Sequence, residues 1–414
     1  MRRMRRTTRR RLLHFAIALL LLGSATMWLS LSDSSQSAIH TVAQAVAAEA
    51  GEAETDEVLP VEAPIRLDPA RFELRGEHYV QVLDDGRTVH LTLDAKLQKD
   101  LEKKADPKKL PSAGVVAIEP STGRVLALLS RSDKKDEPYA LRATAPAASV
   151  FKLVTASALL EMAQLDPNVP VCYSGGSQYL TERTIRGDAA TDTTCANLED
   201  AVGHSINAVI ARLALQHLQR EHLEEIALRF GFNREIPFEL PVDVSKAEFS
   251  DDPIERARTA AGFWNVNLSA LHGAMIAAAL ANGGVMMVPT LVDRVEYPDG
   301  HFGERRRPKV WLSSVSTRVA EEVGRMSEST TTQGTAAKTF QGRSDWPKDL
   351  RVGGKTGTLA NRRPYVLFTW FVGFAPLDAP NIAVGAVVAN GPKWWMKGTH
   401  LAAHAILSYA KSEQ

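Results

Sequence analysis

Ala143-Thr144-Ala145-Pro146-Ala147-Ala148-Ser149-Val150-Phe151-Lys152, with the apolar run Leu153 to Leu160 behind it, is the stretch around which the chain is organised. Ser149 and Lys152 stand three residues apart at the start of a predicted helix, Ser149 to Ala163, so they share one face one turn apart and hydroxyl and amine can meet. The serine's own N–H is one of the donors that a helix N-terminus leaves unpaired, in a field that favours negative charge. Together these make a nucleophile beside its base with half an oxyanion hole. An ordinary capped helix with one exposed lysine gives the same pattern, so the pair acquires meaning only from the rest of the chain.

The 414 residues suffice for one large domain or two modest ones, and a net charge of +1 gives no reason to expect nucleic acid. That balance hides an asymmetry. Residues 1–11 carry seven arginines and no acid, and residues 12–31 are apolar and uncharged. About twenty such residues span a bilayer, with the arginines kept on the cytoplasmic side. The reading is a basic tail (1–11), a transmembrane anchor (12–31), a flexible Ser/Ala/Glu/Gln-rich linker (32–64) and an exported body. Ala43-Gln44-Ala45 offers a competing cleavage site but lies far beyond the apolar run. Outside the membrane the only two cysteines, Cys172 and Cys195, are expected to pair, and a loop of that size adds about 3 kcal/mol.

From Ile65 onward the pattern becomes periodic. Tyr79 to Leu83 and Thr88 to Leu93 alternate across Asp84-Asp85-Gly86-Arg87 as a hairpin, and Asp94 caps a helix to Ala105. Gly114 to Ile118 and Arg124 to Ser130 form a second hairpin. Helices follow at Ser149 to Ala163, Leu198 to Ser205, Ala208 to Leu218, Arg220 to Phe230 and Ser269 to Ala281, with another at Ser316 to Met326. Arg351 to Leu359, Tyr365 to Phe374 and Ile382 to Ala389 read as strands, and Leu401 to Ala410 as a closing helix. Strands from both ends enclosing a helical middle predict an α+β fold: an antiparallel β-sheet flanked by helices, with an inserted, mostly helical subdomain.

Two further motifs join the first. Ser205-Ile206-Asn207 sits between two predicted helices, and Lys355-Thr356-Gly357-Thr358 lies on a predicted strand after Gly353-Gly354. Ser-x-x-Lys, Ser-x-Asn and Lys-Thr-Gly in this order form the signature shared by penicillin-binding proteins and serine β-lactamases. From about Thr88 to Tyr409 the chain resembles the transpeptidase domain of penicillin-binding proteins. The likeness also includes Thr92-Leu93-Asp94, Gly262-Phe263, Ala281-Asn282-Gly283-Gly284, Gln333-Gly334-Thr335-Ala336 and the run Trp370 to Pro376. It places a reduced N-terminal region at 65–111 and the transpeptidase domain at 112–414.

The resemblance implies roles for these residues. Ser149 would attack the D-Ala-D-Ala bond of a peptidoglycan stem peptide, with a neutral Lys152 as base. Ser205 would relay the proton to the leaving amine, and Asn207 would hold Lys152 and the substrate amide. Lys355, Thr356 and Thr358 would bind the terminal carboxylate, Gly357 would let the substrate backbone approach, and the N–H groups of Ser149 and Thr358 would form the oxyanion hole. β-Lactams would enter as covalent mimics. No cofactor or metal is implied; His400 and His404 have i, i+4 spacing but no zinc motif. A partner polymerase would supply the glycan strands, since no glycosyltransferase domain fits ahead of Ile65 in this sequence.

Departures and alternatives accompany that likeness. Pro146-Ala147-Ala148 stands where the family usually has Pro-Gly-Ser, and Trp264-Asn265 where a Gly-Gln pair often follows, which puts a large ring where the family is open. Trp394-Trp395 reads first as cover for the core edge, with an acceptor groove as the alternative; Lys108-Lys109 and Glu304-Arg305-Arg306-Arg307 read as solvated charge. A D,D-carboxypeptidase would differ only in using water as acceptor. A β-lactamase would need a deacylating base, for which Glu235 and Glu239 are the candidates. The non-enzymatic alternatives are a cell-wall scaffold and a β-lactam sensor; the three intact motifs argue against the first, and the short N-terminal tail against the second.

Overall fold

The apolar runs near the C-terminus carry so few polar residues because the sheet they form is covered on both faces. The computed structural model describes residues 65–106, 110–133, 137–176, 179–391 and 396–412. The tail, anchor and linker read from residues 1–64, Lys108-Lys109 and Trp394-Trp395 lie outside the described residues. Among the described residues no helix is long and apolar enough to cross a membrane.

Fifteen strands occur among the described residues. β1 (Glu73–Arg75), β2 (His78–Val82), β3 (Thr88–Asp94), β4 (Ser112–Ile118) and β5 (Val125–Arg131) come first, then the short β6 (Ala145–Pro146), β7 (Val171–Tyr173), β8 (Thr194–Ala196) and β9 (Asn267–Leu268). β10 (Val285–Met287), β11 (Val292–Glu296) and β12 (Val310–Ser313) precede β13 (Gly353–Arg362), β14 (Tyr365–Ala375) and β15 (Ile382–Asn390). The main sheet is antiparallel throughout, in the order β13-β14-β15-β4-β5, so chain segments more than 200 residues apart meet at its centre, where β15 pairs with β4. A second sheet, β1-β2-β3-β11, is built largely from the N-terminal region.

The helices are α1 (Ala95–Lys104), α2 (Lys152–Glu161), α3 (Glu182–Arg186), α4 (Leu198–Gly203), α5 (Asn207–His217), α6 (Arg220–Arg229) and α7 (Pro253–Ala260). After them come α8 (Ala270–Ala281), α9 (Thr317–Thr332), α10 (Ala337–Phe340) and α11 (Gly398–Ser412). One face of the main sheet, with Val115, Phe371, Val384 and Val388, packs on α1 and α11 through Leu97, Leu101, Leu401 and Ile406. The opposite face, with Val116, Trp370, Val372 and Val387, packs on α8 and, beyond it, the helical subdomain. α2 and α8 are apolar almost all round because both are buried on every side, which is why neither shows an amphipathic stripe. The α+β architecture expected from the sequence is the one observed.

Local differences have local causes. The helix expected from Ser149 begins as a 3-10 turn, Ala148–Phe151, and becomes α-helical only at Lys152. The helix expected to end near Met326 runs to Thr332. Five of its last six residues are Ser or Thr, weak helix formers whose hydroxyls at 327, 329 and 332 turn back to carbonyls of the preceding turn, so it is the burial of Ser327, Ser329, Thr330 and Thr331 that holds the end in place.

The cysteines are joined. Cys172 and Cys195 lie opposite each other on β7 and β8 and form a disulfide. The loop it closes is tied to α5 by Arg212, which bonds the Cys172 carbonyl, the Thr184 carbonyl at 2.9 Å and Asp192 at 2.6 Å, with both members of the ion pair nearly buried. Replacing both cysteines by serine is expected to lower the unfolding free energy by about 3 kcal/mol, from the loop-closure entropy returned to the unfolded chain. Urea denaturation of the oxidised wild type against the double variant measures it; equal midpoints would contradict the estimate.

Candidate active site

The nucleophile's turn is held from three sides. Ala147 N donates to Val266 O at 2.9 Å, and Trp370 Nε1, buried in β14, donates to Pro146 O at 2.8 Å. On the third side, Gly262 has φ +92°, and a Cβ there would stand 2.2 Å from the Ala148 carbonyl oxygen. Only glycine accepts both that conformation and that contact. Gly357 on β13 packs on the same turn, where a Cβ would meet Ala147 O at 3.1 Å and the Ala148 methyl at 3.3 Å.

Lys152 is the first residue of α2 and is fully buried. Its Nζ lies 2.7 Å from Ser149 Oγ, 2.6 Å from Asn207 Oδ1 and 2.7 Å from Ala261 O. Burial, and then the Lys355 charge, push its pKa well below the ordinary lysine value. The neutral amine has two N–H bonds and one lone pair. Two of its neighbours, the Asn207 and Ala261 carbonyl oxygens, can only accept. They take the two protons, so the lone pair faces the one neighbour with a proton to give, the Ser149 hydroxyl. An amine so placed can accept the hydroxyl's proton, which is the chemistry a general base supplies to a serine nucleophile.

Ser205 is not the helix-capping serine that its position between two helices would suggest. It lies two residues past α4, just after the C-cap His204, with φ +59°, where Ile206 N donates to Ala201 O at 3.0 Å and Ser205 N to Val202 O at 3.3 Å. These are the two bonds of a Schellman ending, whose left-handed residue is usually glycine. A serine here costs on the order of 1 to 2 kcal/mol of backbone strain. The bend carries its side chain into the cleft and lets Asn207 open α5 with its amide turned onto Lys152.

β13 is an edge strand and forms the opposite wall. Lys355 is fully buried, donates to Thr356 O at 3.0 Å, and is pushed down to about 7 by burial. Neither lysine has a salt bridge among the described residues. Ser149, Ser205, Asn207, Thr356, Gly357 and Thr358 line one cleft of about 400 Å³, whose described lining contains no Asp or Glu. All the predicted site residues therefore converge, with Lys152 and Lys355 beneath the cleft floor. A larger cavity of about 880 Å³ by α9 holds no nucleophile, and its Arg325 and Arg351 are paired with Glu322, Glu328 and Asp378.

Sequence reading missed several parts of this site. The Ala261 carbonyl carries no side-chain signal, and Tyr173, next to Cys172, enters the lining only through the loop that the disulfide closes. Thr335 reaches Thr356, hydroxyl to hydroxyl, at 2.6 Å. Trp264, expected to fill space near the site, is 54% exposed and does not line the cleft. Glu239 is taken up by Thr290 Oγ1, Leu291 N and Arg306; Glu235 is exposed, and neither lines the cleft. His404 faces the Asp100 carbonyl and His400 accepts from Lys397 N, so each is engaged with backbone.

The family model described as the penicillin binding protein transpeptidase domain matches residues 113–408. Peptidoglycan D,D-transpeptidase PbpA of Mycobacterium tuberculosis is 28% identical over 319 residues, covering 67% of this chain and 62% of its own length. Stage V sporulation protein D of Bacillus subtilis is 24% identical over 331 residues, covering 74% of this chain and 50% of its own. The chain thus spans less than two thirds of the length of these relatives. Among solved structures, penicillin-binding protein A from M. tuberculosis matches with a TM-score of 0.66 at 24% identity, over 79% of this chain and 80% of that one. The ceftriaxone acyl-enzyme complex of that protein gives 0.66 at 25% identity over the same shares.

The buried amines set a pH dependence. Lys355 folds with its pKa at about 7, against about 10.4 in the unfolded chain. Between those values the unfolded chain holds this proton and the folded protein does not, so unfolding free energy rises with pH there; below 7 both forms hold it and the penalty is fully present. Lys355→Met should remove the penalty. Its stability advantage over the wild type is expected to shrink as pH rises from 7 to 10, and an advantage that grows over this range would refute the assignment.

Proposed function

The chain belongs to the penicillin-binding protein transpeptidase family, and on that premise we propose that it is a serine D,D-transpeptidase that crosslinks peptidoglycan and is acylated by β-lactams. One observation carries the reading: a buried amine, 2.7 Å from Ser149 Oγ, has its other two positions filled by carbonyl oxygens. Its lone pair is left to the serine.

In this reading Ser149 Oγ attacks the carbonyl carbon of the penultimate D-Ala while its proton passes to Lys152. The developing oxyanion is met by the N–H groups of Ser149 and Thr358. The C–N bond then breaks, a proton reaches the departing D-Ala amine through Ser205, and an ester to Ser149 remains. An amine of a second stem peptide attacks that ester, gives up a proton and returns Ser149 to its hydroxyl form. Lys355, Thr356 and Thr358 hold the donor's terminal carboxylate in a cleft whose described lining has no carboxylate of its own. A polymerase would supply the glycan strands. The arginines of residues 1–11 and the apolar residues 12–31 support a single-pass anchor with the body outside the cytoplasmic membrane. The positions of Glu235 and Glu239, both away from the cleft lining, support a long-lived penicilloyl ester over β-lactamase turnover.

A fluorescent penicillin is expected to label the protein covalently, to persist for many minutes, and to leave Ser149→Ala unlabelled. An unlabelled wild type, or a labelled alanine variant, would sink the reading. Release within seconds would turn it to a β-lactamase.

A further inference from the structure

Thr335 follows the end of α9 and is fixed by backbone bonds: Gly334 N donates to Ser329 O at 2.7 Å, Ala336 N to Thr330 O at 2.8 Å, and Thr335 N to Gly203 O at 3.2 Å. Gly203 lies two residues before Ser205, so this segment is tied to the wall that bears the serine. The Thr335 hydroxyl crosses to the other wall, 2.6 Å from Thr356 Oγ1. One turn back, Thr331 Oγ1 donates to Val352 O at 2.7 Å, just ahead of β13.

A threonine hydroxyl has one proton to donate. While Thr356 donates to Thr335, it has none left for a ligand. A carboxylate can only accept, so binding one at Thr356 requires the pair to run the other way, from Thr335 to Thr356 to the carboxylate. A chain of donors in one direction also polarises its last member. We propose that Thr335 is a positioning residue for the donor's terminal carboxylate: its hydroxyl donates to Thr356 and so turns the Thr356 proton into the cleft. This rests on the transpeptidase reading of the site and extends it to a residue outside the three motifs. The Lys355 amine, bonded to the Thr356 carbonyl, supplies charge from beneath, whereas Thr335 fixes which way the hydroxyl donates.

The test compares two acyl donors on the full chain: a D-alanyl thioester ending in a free carboxylate, and its methyl ester. For Thr335→Val, kcat/KM on the carboxylate donor is expected to fall about tenfold, through KM, which corresponds to one net hydrogen bond. The methyl ester should lose less than about twofold, the cost expected when no ionised acceptor is present. Thr335→Ser, which keeps the hydroxyl, should restore the carboxylate donor. Unchanged kinetics in Thr335→Val, an equal loss on both donors, or a Thr335→Ser variant as impaired as valine would each overturn the proposal. A wild type that turns over neither donor would overturn the transpeptidase reading and this inference with it.

Discussion

Two lysine amines, Lys152 and Lys355, are buried close enough to repel each other, and among the described residues neither has a carboxylate in ion-pair contact. Burial and mutual repulsion both oppose charging the two together, which favours a neutral form for at least one of them. The repulsion acts on both, and burial with the Lys355 charge pushes Lys152 well below the ordinary lysine value, towards the neutral form. A neutral amine in the core must still satisfy its two N–H bonds, and this requirement fixes the neighbourhood. Asn207 has to reach it from the start of α5, and the Ala261 carbonyl from just past α7. Lys355, titrating at about 7, is left short of a counter-charge that an anionic ligand would bring. The same unpaired burial that weakens the fold leaves one amine uncharged beside Ser149 Oγ and the other short of an anion.

Strain collects around that pair. Ala148, Ser205, Trp264 and Asn265 all have positive φ, and each non-glycine residue in that region costs on the order of 1 to 3 kcal/mol. Asparagine tolerates the conformation best, and Asn265 also accepts from Glu248 N. Ser205 and Ala148 persist because their surroundings over-determine them. Ser205 is locked by the Schellman bonds, and Ala148 by the Trp370 to Pro146 bond on one side and the Gly262 backbone on the other. The buried sheet, α8 packed on it and α2 in the same core supply the rigidity that holds Ser205 and Ala148 out of their preferred conformations.

The sheet was legible because β4, β14 and β15 are long, largely buried apolar runs bounded by turn residues, with β5 and the edge strand β13 also lying where the sequence placed them. The three motifs were legible because each is a short local pattern. α3, α7 and β11 were not: the first two are only 5 and 8 residues long, and Val292–Glu296 is half polar and defined by its partner β3, about 200 residues away. Ser205 was visible as a residue but not as a conformation, since nothing in Gly203-His204-Ser205-Ile206 announces that the serine takes the glycine position of a helix ending. Thr335 was visible as part of a run, yet its bond to Thr356 depends on how α9 lies along β13. Contacts of this kind are properties of packing and leave no periodic trace.

The alanines before the nucleophile show how a departure in sequence resolves into geometry. Where the resemblance leads one to expect Gly-Ser, the chain has Ala147-Ala148. Ala147 sits at φ −62°, ψ −24°, an ordinary helical conformation in which a methyl group costs nothing, so glycine is not required there. The left-handed residue is the next one, Ala148, at φ +50°. Its carbonyl faces Gly262 and its methyl faces Gly357, so the space this strained turn needs is provided by two glycines distant in sequence. What must be preserved ahead of Ser149 is therefore the room that Gly262 and Gly357 leave for the turn. Pro146 and Trp370 then aim it, and the identity of residue 147 matters only so far as it fits between them.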